Sequence, residues 1–300
     1  MGSTFSRRFD PRGKTVLVTG ASSGIGEAVA LWFAVSGARL VLTARRKEEL
    51  ERVARQCTAV GAQAVTIVVA DLATSEGCQA VGEGTRLELG DTSLDCVVLN
   101  AGLSMGTRFQ DLCKHGQATS VLQRLMSVNF FGATGVLESV FDMLLASPSG
   151  VRILVVSSVI GLVAPPLRTG YAASKFALKG FFDSLRCELS DHPHGASITL
   201  GYPGAVRTHI NDNRIGTIQG QATNLDLQKS MTPERVASIL CRSACAGQRD
   251  VLFSLDGTVV GAIKARVIRW IHFLAPGLAD MLTIATMKSM SAKAKSDKLQ

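Results

Sequence analysis

Tyr171 and Lys175 stand four residues apart in the run Tyr171-Ala172-Ala173-Ser174-Lys175. On a helix that spacing puts a phenol and an ammonium on one face. A free phenol, with a pKa of about 10, is too weakly acidic to ionise readily at neutral pH. An ammonium about 4 Å away, worth about 4 kcal/mol at an effective dielectric near 20, would change that by roughly three pKa units before desolvation subtracts from it. The pair therefore reads as a proton donor tuned toward working pH. Alone, a Tyr-x-x-x-Lys is an ordinary surface pair. Here Ser158 closes the apolar run Val151-Arg152-Ile153-Leu154-Val155-Val156-Ser157-Ser158, thirteen residues before the tyrosine. Reduction of a carbonyl needs a hydride donor, a proton donor and a group to hold the developing oxyanion, and Tyr171 suits the second.

A hydride donor needs a nucleotide site, and Thr19-Gly20-Ala21-Ser22-Ser23-Gly24-Ile25-Gly26 supplies one near the N-terminus. The segment follows the strand-like Thr15 to Val18 and opens a helix, the context in which such a motif carries meaning. Glycines at 20, 24 and 26 permit a tight turn and close approach of backbone to ligand, and the helix N-terminus offers N–H groups to a pyrophosphate. An NAD site usually places an acid at the end of the second strand. This chain reads Val41-Leu42-Thr43-Ala44-Arg45-Arg46 there, with no carboxylate to repel a ribose 2′-phosphate and with Arg45 placed to pair with one. A charge-assisted contact of about 1.5 to 3 kcal/mol is about a ten- to hundredfold preference, which favours NADP(H). The bland alternative is two solvated arginines at a helix start.

These residues need a scaffold. Short apolar, largely β-branched runs fall at 15–18, 39–42, 65–69, 96–99, 153–156, 198–200 and 251–253, the pattern of buried strands. Amphipathic segments lie between them at 24–36, 47–60, 119–146, 170–190 and 232–246. The last opens on Thr232-Pro233-Glu234, an N-cap, a first-turn proline and an acid. Such alternation predicts a doubly wound parallel sheet, of about seven strands, with ligands beyond the carboxyl ends of the strands. No linker or composition break divides the 300 residues, so residues 14–261 form one dinucleotide-binding and catalytic domain between a tail of 1–13 and an extension of 262–300. The seven cysteines are scattered and odd in number, and the five histidines are isolated, so a zinc site is not expected.

At almost every defining motif, from about residue 14 to about 255, the sequence resembles the short-chain dehydrogenase/reductase family. That resemblance implies a single-domain Rossmann-type fold and assigns further residues. Asp71, followed by Leu72, would contact adenine, and Asn100-Ala101-Gly102 would line the cofactor beside the first turn. Lys175 would also bind the nicotinamide ribose. Ser158, rather than Ser157, would hold the substrate oxygen, and Asn129 would hold a water linking the lysine to solvent. Pro203-Gly204-Ala205-Val206-Arg207-Thr208 matches the segment passing the nicotinamide, with Thr208 near its carboxamide. Residues 209–231 would form a substrate lid. Members commonly pair as homodimers or homotetramers through the helices carrying Asn129 and Tyr171. The stretch 174–186, the double serine and Val251-Leu252-Phe253 are most similar to the hydroxysteroid-dehydrogenase-like branch, which acts on lipophilic carbonyls at membranes. The resemblance thus implies an NADPH-dependent reductase of a lipid ketone or aldehyde, of steroid, retinoid or lipid-intermediate type. Its rivals are an alcohol dehydrogenase working in the oxidative direction and a catalytically retired cofactor-binding scaffold.

The net charge of +8 is concentrated at the ends. Arg7, Arg8, Arg12 and Lys14 against Asp10 give +3 before residue 15, and residues 262–300 give +5, so the remainder is neutral. Basic residues confined to the ends, with few aromatics, do not suit a nucleic-acid partner. Val267, Trp270, Ile271, Leu274, Leu278, Met281, Leu282 and Ala285 recur at three- and four-residue spacing among lysines and arginines. The stretch Val267 to Met287 is not a membrane span, because Arg269, His272, Pro276 and Asp280 interrupt it. It is expected to be an amphipathic helix pair, bent at Pro276-Gly277, lying in the membrane interface; a helix docked on the protein's own core or a dimer surface is the alternative. Met1-Gly2-Ser3-Thr4-Phe5-Ser6 fits the N-myristoylation pattern. An intracellular protein on the cytosolic face of a membrane, or in the cytoplasm, is the expected setting.

Overall fold

The computed structural model describes residues 8–90, 93–208, 210, 214–216 and 230–253, together with 267, 270, 274, 277 and 281. The N-myristoylation pattern, most of the expected lid and most of residues 254–300 lie outside the described residues.

Seven parallel strands form one sheet: β1 (Thr15–Thr19), β2 (Arg39–Ala44), β3 (Ala64–Val69), β4 (Cys96–Leu99), β5 (Val151–Val156), β6 (Ala196–Tyr202) and β7 (Asp250–Leu252). Their order across the sheet is β3-β2-β1-β4-β5-β6-β7. The chain therefore winds one way from β1 to β3 and the other way from β4 to β7. Between β1 and β4 the direction reverses, which opens a crevice at the strand ends. Val16, Leu17 and Val18 pair with Cys96, Val97 and Val98 across that seam.

Helices cover both faces: α1 (Gly24–Val35), α2 (Lys47–Ala59), α3 (Ser75–Leu89), α4 (Phe109–Lys114), α5 (Ala118–Met126), α6 (Gly132–Leu145), α7 (Thr169–Glu188) and α8 (Pro233–Cys245). Successive strand side chains point to opposite faces, so Val16, Val18, Leu40 and Leu42 pack with Phe33, Val53 and Leu240 of α1, α2 and α8. Leu17, Val41, Val97 and Val155 pack with Val81, Val140 and Phe182 of α3, α6 and α7. Burial on both faces is why the strands read as continuous apolar runs.

The structure adds two helices that the periodicity does not mark, α3 and α4, and it divides the segment expected as one helix over 119–146. Ser127–Phe131 form a π-helical turn joining α5 to α6. The whole run 118–145 is long and apolar enough to cross a membrane, yet Leu125, Val136, Val140 and Leu144 are buried in the fold. At the other end of the domain α8 opens as expected: Thr232 Oγ1 accepts from the Arg235 N–H at 3.3 Å, and Pro233 starts the helix.

Candidate active site

A cavity of about 1100 Å³ sits over the carboxyl ends of six strands, β1 to β6, at the point where the winding reverses. Gly20, Ser22, Ser23, Gly24 and Ile25 line it from β1, Arg45 from β2, Asp71 and Leu72 from β3. Asn100, Ala101 and Gly102 line it from β4, Ser158, Tyr171 and Lys175 from β5 and α7, and Pro203, Gly204, Val206 and Thr208 from β6. Two residues expected at the site, Gly26 and Asn129, are not on the cavity wall. Each stands behind it, and each shapes the part in front.

Gly20 turns at φ +66°, a left-handed conformation that favours glycine. A Cβ on Gly26 would lie 2.2 Å from the Gly20 carbonyl oxygen, so glycine there lets α1 close on the turn rather than touch a ligand. Asn100 Nδ2 donates to the carbonyls of Thr19 and Gly20 at 3.0 and 3.3 Å. Thr19 Oγ1 accepts from the N–H groups of Asn100 and Ala101 at 2.9 and 3.1 Å. These bonds fasten the end of β1 to the end of β4. Ser23, at the N-cap of α1, makes no side-chain bond to the helix, so its first-turn N–H groups are donors without a side-chain cap beside the cavity.

Arg46 is the residue that the sequence reading overlooked. Its Nη2 donates to Ser22 Oγ at 3.0 Å and Ser23 Oγ at 2.8 Å, reaching back over the glycine turn to lie with Arg45 on the cavity wall. The adjacent-arginine pattern was the available signal. Across the cavity Asp71 is partly buried, which works against its charge. The Ala73 N–H at 3.1 Å and the Arg124 guanidinium at 3.2 Å prevail and hold its carboxyl below the usual range.

At the other end Tyr171 is the third residue of α7, and Lys175 lies one turn on. Lys175 Nζ sits 5.8 Å from the centre of the Tyr171 ring and donates to the Val156 carbonyl at 3.1 Å. Burial pushes this ammonium down to about 8. The expected net lowering of the Tyr171 phenol is not what the geometry gives, because burial dominates. Burial pushes the phenol up, while a hydrogen bond with Ser158 and the charge of Arg168 partly offset that rise. The ammonium stands over the ring face and is turned to a backbone carbonyl. Ser158, not Ser157, is the serine bonded to the tyrosine.

Asn129 lies within the π turn and is fully buried. Its Oδ1 accepts from the Leu103 N–H at 2.7 Å, and its Nδ2 donates to the Leu103 carbonyl at 3.0 Å and to Ser174 Oγ at 2.9 Å. Asn129 therefore fixes the loop after β4 to the helix that carries Tyr171 and Lys175. A π turn at this position widens the helix and re-aims one side chain, a device common at functional sites.

Comparison with known proteins agrees with this geometry. The family model for short chain dehydrogenase matches residues 14–218. Human dehydrogenase/reductase SDR family member 7 is 33% identical over 247 residues, covering 80% of this chain and 69% of its own. The Arabidopsis thaliana 11-beta-hydroxysteroid dehydrogenase-like 2 is 34% identical over 273 residues, covering 90% and 80%. A Burkholderia phymatum short-chain dehydrogenase/reductase, solved with NAD, superposes with a TM-score of 0.74 at 23% identity over 89% of this chain and 96% of that one. A metagenomic short-chain oxidoreductase solved with NADP gives 0.65 at 26% identity, covering 81% and 97%. The chain belongs to the short-chain dehydrogenase/reductase family, an oxidoreductase family, in its hydroxysteroid-dehydrogenase-like branch.

Proposed function

We propose that this oxidoreductase reduces a lipophilic ketone or aldehyde using NADPH. One observation carries the reading. Ser158, Tyr171 and Lys175 line the same cavity as the glycine turn and the Arg45-Arg46 pair, so a proton donor and a dinucleotide cradle face one space. The residues present fit the cofactor: left-handed Gly20 and Gly24, uncapped N–H groups at α1, and two guanidiniums where an NAD site usually holds an acid. Bound there, a reduced nicotinamide supplies the hydride. Ser158 holds the carbonyl oxygen by its hydroxyl, and Tyr171 gives that oxygen its phenolic proton. Lys175 stabilises the phenolate left behind. Asn129 keeps the Leu103 loop and α7 in register while this happens.

The hydroxysteroid names of the relatives and the apolar part of the wall, with Leu103, Val159, Ile160, Leu167 and Ile215, support a lipophilic substrate. A panel of lipid ketones, steroids and short aldehydes should include compounds that oxidise NADPH about ten- to a hundredfold faster than NADH at low cofactor concentration. Turnover of short polar aldehydes alone would refute the lipophilic reading.

We infer further that residues 262–300 rest on an anionic membrane surface. Val267, Trp270, Leu274 and Met281, apolar residues three, four and seven positions apart in the sequence, are helical and 47 to 72% exposed. Exposed apolar residues within a segment of net charge +5 suit an interfacial helix. The full chain should float with anionic vesicles at low salt, and the double variant Trp270→Glu, Leu274→Glu should largely stay behind. Equal flotation of both would sink the inference.

A further inference from the structure

The helix that carries the proton donor starts without a side-chain cap. Arg168 stands at the N-cap of α7, and its side chain makes no bond to the helix. The first N–H groups of a helix have no partner within it. Gly170, buried at the second position of α7, carries one of them, and its N–H donates to the thioether sulfur of Met105, 3.2 Å away. Tyr171 is the next residue.

Met105 lies in the loop after β4 and is fully buried. A thioether is a weak acceptor. A buried N–H left with no acceptor, however, costs more than such a bond contributes. The sulfur therefore matters chiefly by what its removal would leave behind.

The surroundings hold that sulfur in place. The Met105 backbone forms a parallel bridge with Ile215, and the Ile215 N–H donates to the Ser104 carbonyl at 3.0 Å. From the other side Arg168 Nη1 donates to the Met105 carbonyl. Leu167, just before it, has φ +70°, alone among the described non-glycine residues in being positive. For a bulky side chain that conformation is strained, and such strain collects where a fold must aim a functional group. The Met105 side chain packs with Leu112, Val121, Leu125 and Tyr171 in an apolar cluster against which Ile160 and Ile215 of the cavity wall also rest. A Cβ on Gly170 would lie 2.5 Å from Leu122 and 3.3 Å from Met105 Sδ, so glycine lets α5 and the sulfur close on the first turn of α7.

Tyr171 and its partner Ser158 come from different elements, so the bond between them depends on where that first turn lies. A displacement of about 1 Å can cost about a hundredfold in rate. We infer that Met105 is a positioning residue for the reduction: its sulfur caps α7 and holds the turn from which the Tyr171 phenol meets Ser158 and the carbonyl oxygen. Met105 is not on the cavity wall and acts through α7 alone. The inference rests on the reductase reading above.

The full chain tests it as parent, Met105→Leu and Met105→Gln, with NADPH and the fastest ketone of the panel. Leucine fills nearly the same volume and has no acceptor. Glutamine restores an acceptor and places an amide among apolar side chains, which lowers stability. Met105→Leu should lower kcat by about five- to thirtyfold. NADPH affinity should be unaltered, and the solvent deuterium isotope effect on kcat should exceed the parent's, because transfer of the phenolic proton becomes the slower step. Activity should rank parent, Met105→Gln, Met105→Leu, whereas thermal stability should rank parent, Met105→Leu, Met105→Gln. A side chain that only fills space makes activity follow stability, and that outcome overturns the inference. Met105→Leu turning over at the parent rate, or more slowly with the parent's isotope effect, also overturns it, and these two readings decide the matter if Met105→Gln does not fold. All of these leave the reductase reading intact. A parent chain that binds NADPH and reduces no ketone of the panel overturns both.

Discussion

Tyr171→Phe is expected to lower turnover by about 10²- to 10⁴-fold while NADPH still binds, because it removes the transferable proton and little volume. The phenol is buried and its proton is held more tightly than in a free tyrosine, as burial pushes its pKa up. For reduction that is the useful state, since the group enters the reaction as an acid. Lys175, with its pKa pushed down to about 8 by burial, is an ammonium below that pH and loses its charge above it. Reduction by the parent chain should therefore fall as pH rises through about 8, because the phenolate left by proton transfer loses its nearby cation. Steady-state rates and NADPH fluorescence titration of parent and variant measure both effects. A Tyr171→Phe enzyme that kept more than a few per cent of its rate would require another acid.

Exchanging the two arginines should change the cofactor preference. Arg45→Asp removes a cation and adds repulsion where a 2′-phosphate would lie, and Arg46→Ala removes the guanidinium that bridges Ser22 and Ser23. Together they should weaken NADPH by about a hundredfold or more and NADH by only about threefold. The single variants apportion the effect. If Arg46→Ala costs more than Arg45→Asp, the buttress on the glycine turn matters more than the exposed neighbour. Comparable losses for NADH and NADPH would remove the 2′-phosphate from the account.

All seven strands were legible as short runs rich in Val, Leu and Ile, a pattern that burial on both faces explains for central strands such as β1, β4 and β5, while the edge strand β3 is only partly buried. The helix α3 was not, because Gly77, Gly82 and Gly84 interrupt its apolar period. The structure supplies the reason: Cβ atoms there would lie 2.1 Å from the Asp71 carbonyl oxygen, 2.7 Å from Ser139 and 2.6 Å from Val68. Close approach of α3 to its neighbours was chosen over helix propensity. Tyr171 and Lys175 could be read from type and spacing and Ser158 from the family resemblance, and the structure brings all three to one cavity. What spacing could not convey was direction. It gave no sign that Lys175 would turn to the Val156 carbonyl, that Gly26 and Asn129 would stand behind the wall, or that a π turn would interrupt the helix at Ser127–Phe131. Arg168 was invisible for a similar reason. In Pro165-Pro166-Leu167-Arg168 it reads as a loop cation, and only a left-handed Leu167 shows where it is aimed.

Hydride transfer paired with protonation by this cavity is the central claim, and isotope transfer tests it most directly. With NADPH carrying two deuteriums at nicotinamide C4 and the lipid ketone panel as acceptors, the alcohol formed should carry one deuterium on the former carbonyl carbon, seen by mass spectrometry. The same incubation with Tyr171→Phe should form little alcohol. Alcohol formed without label by the parent chain, or no alcohol from any ketone while NADPH is bound, would contradict the account.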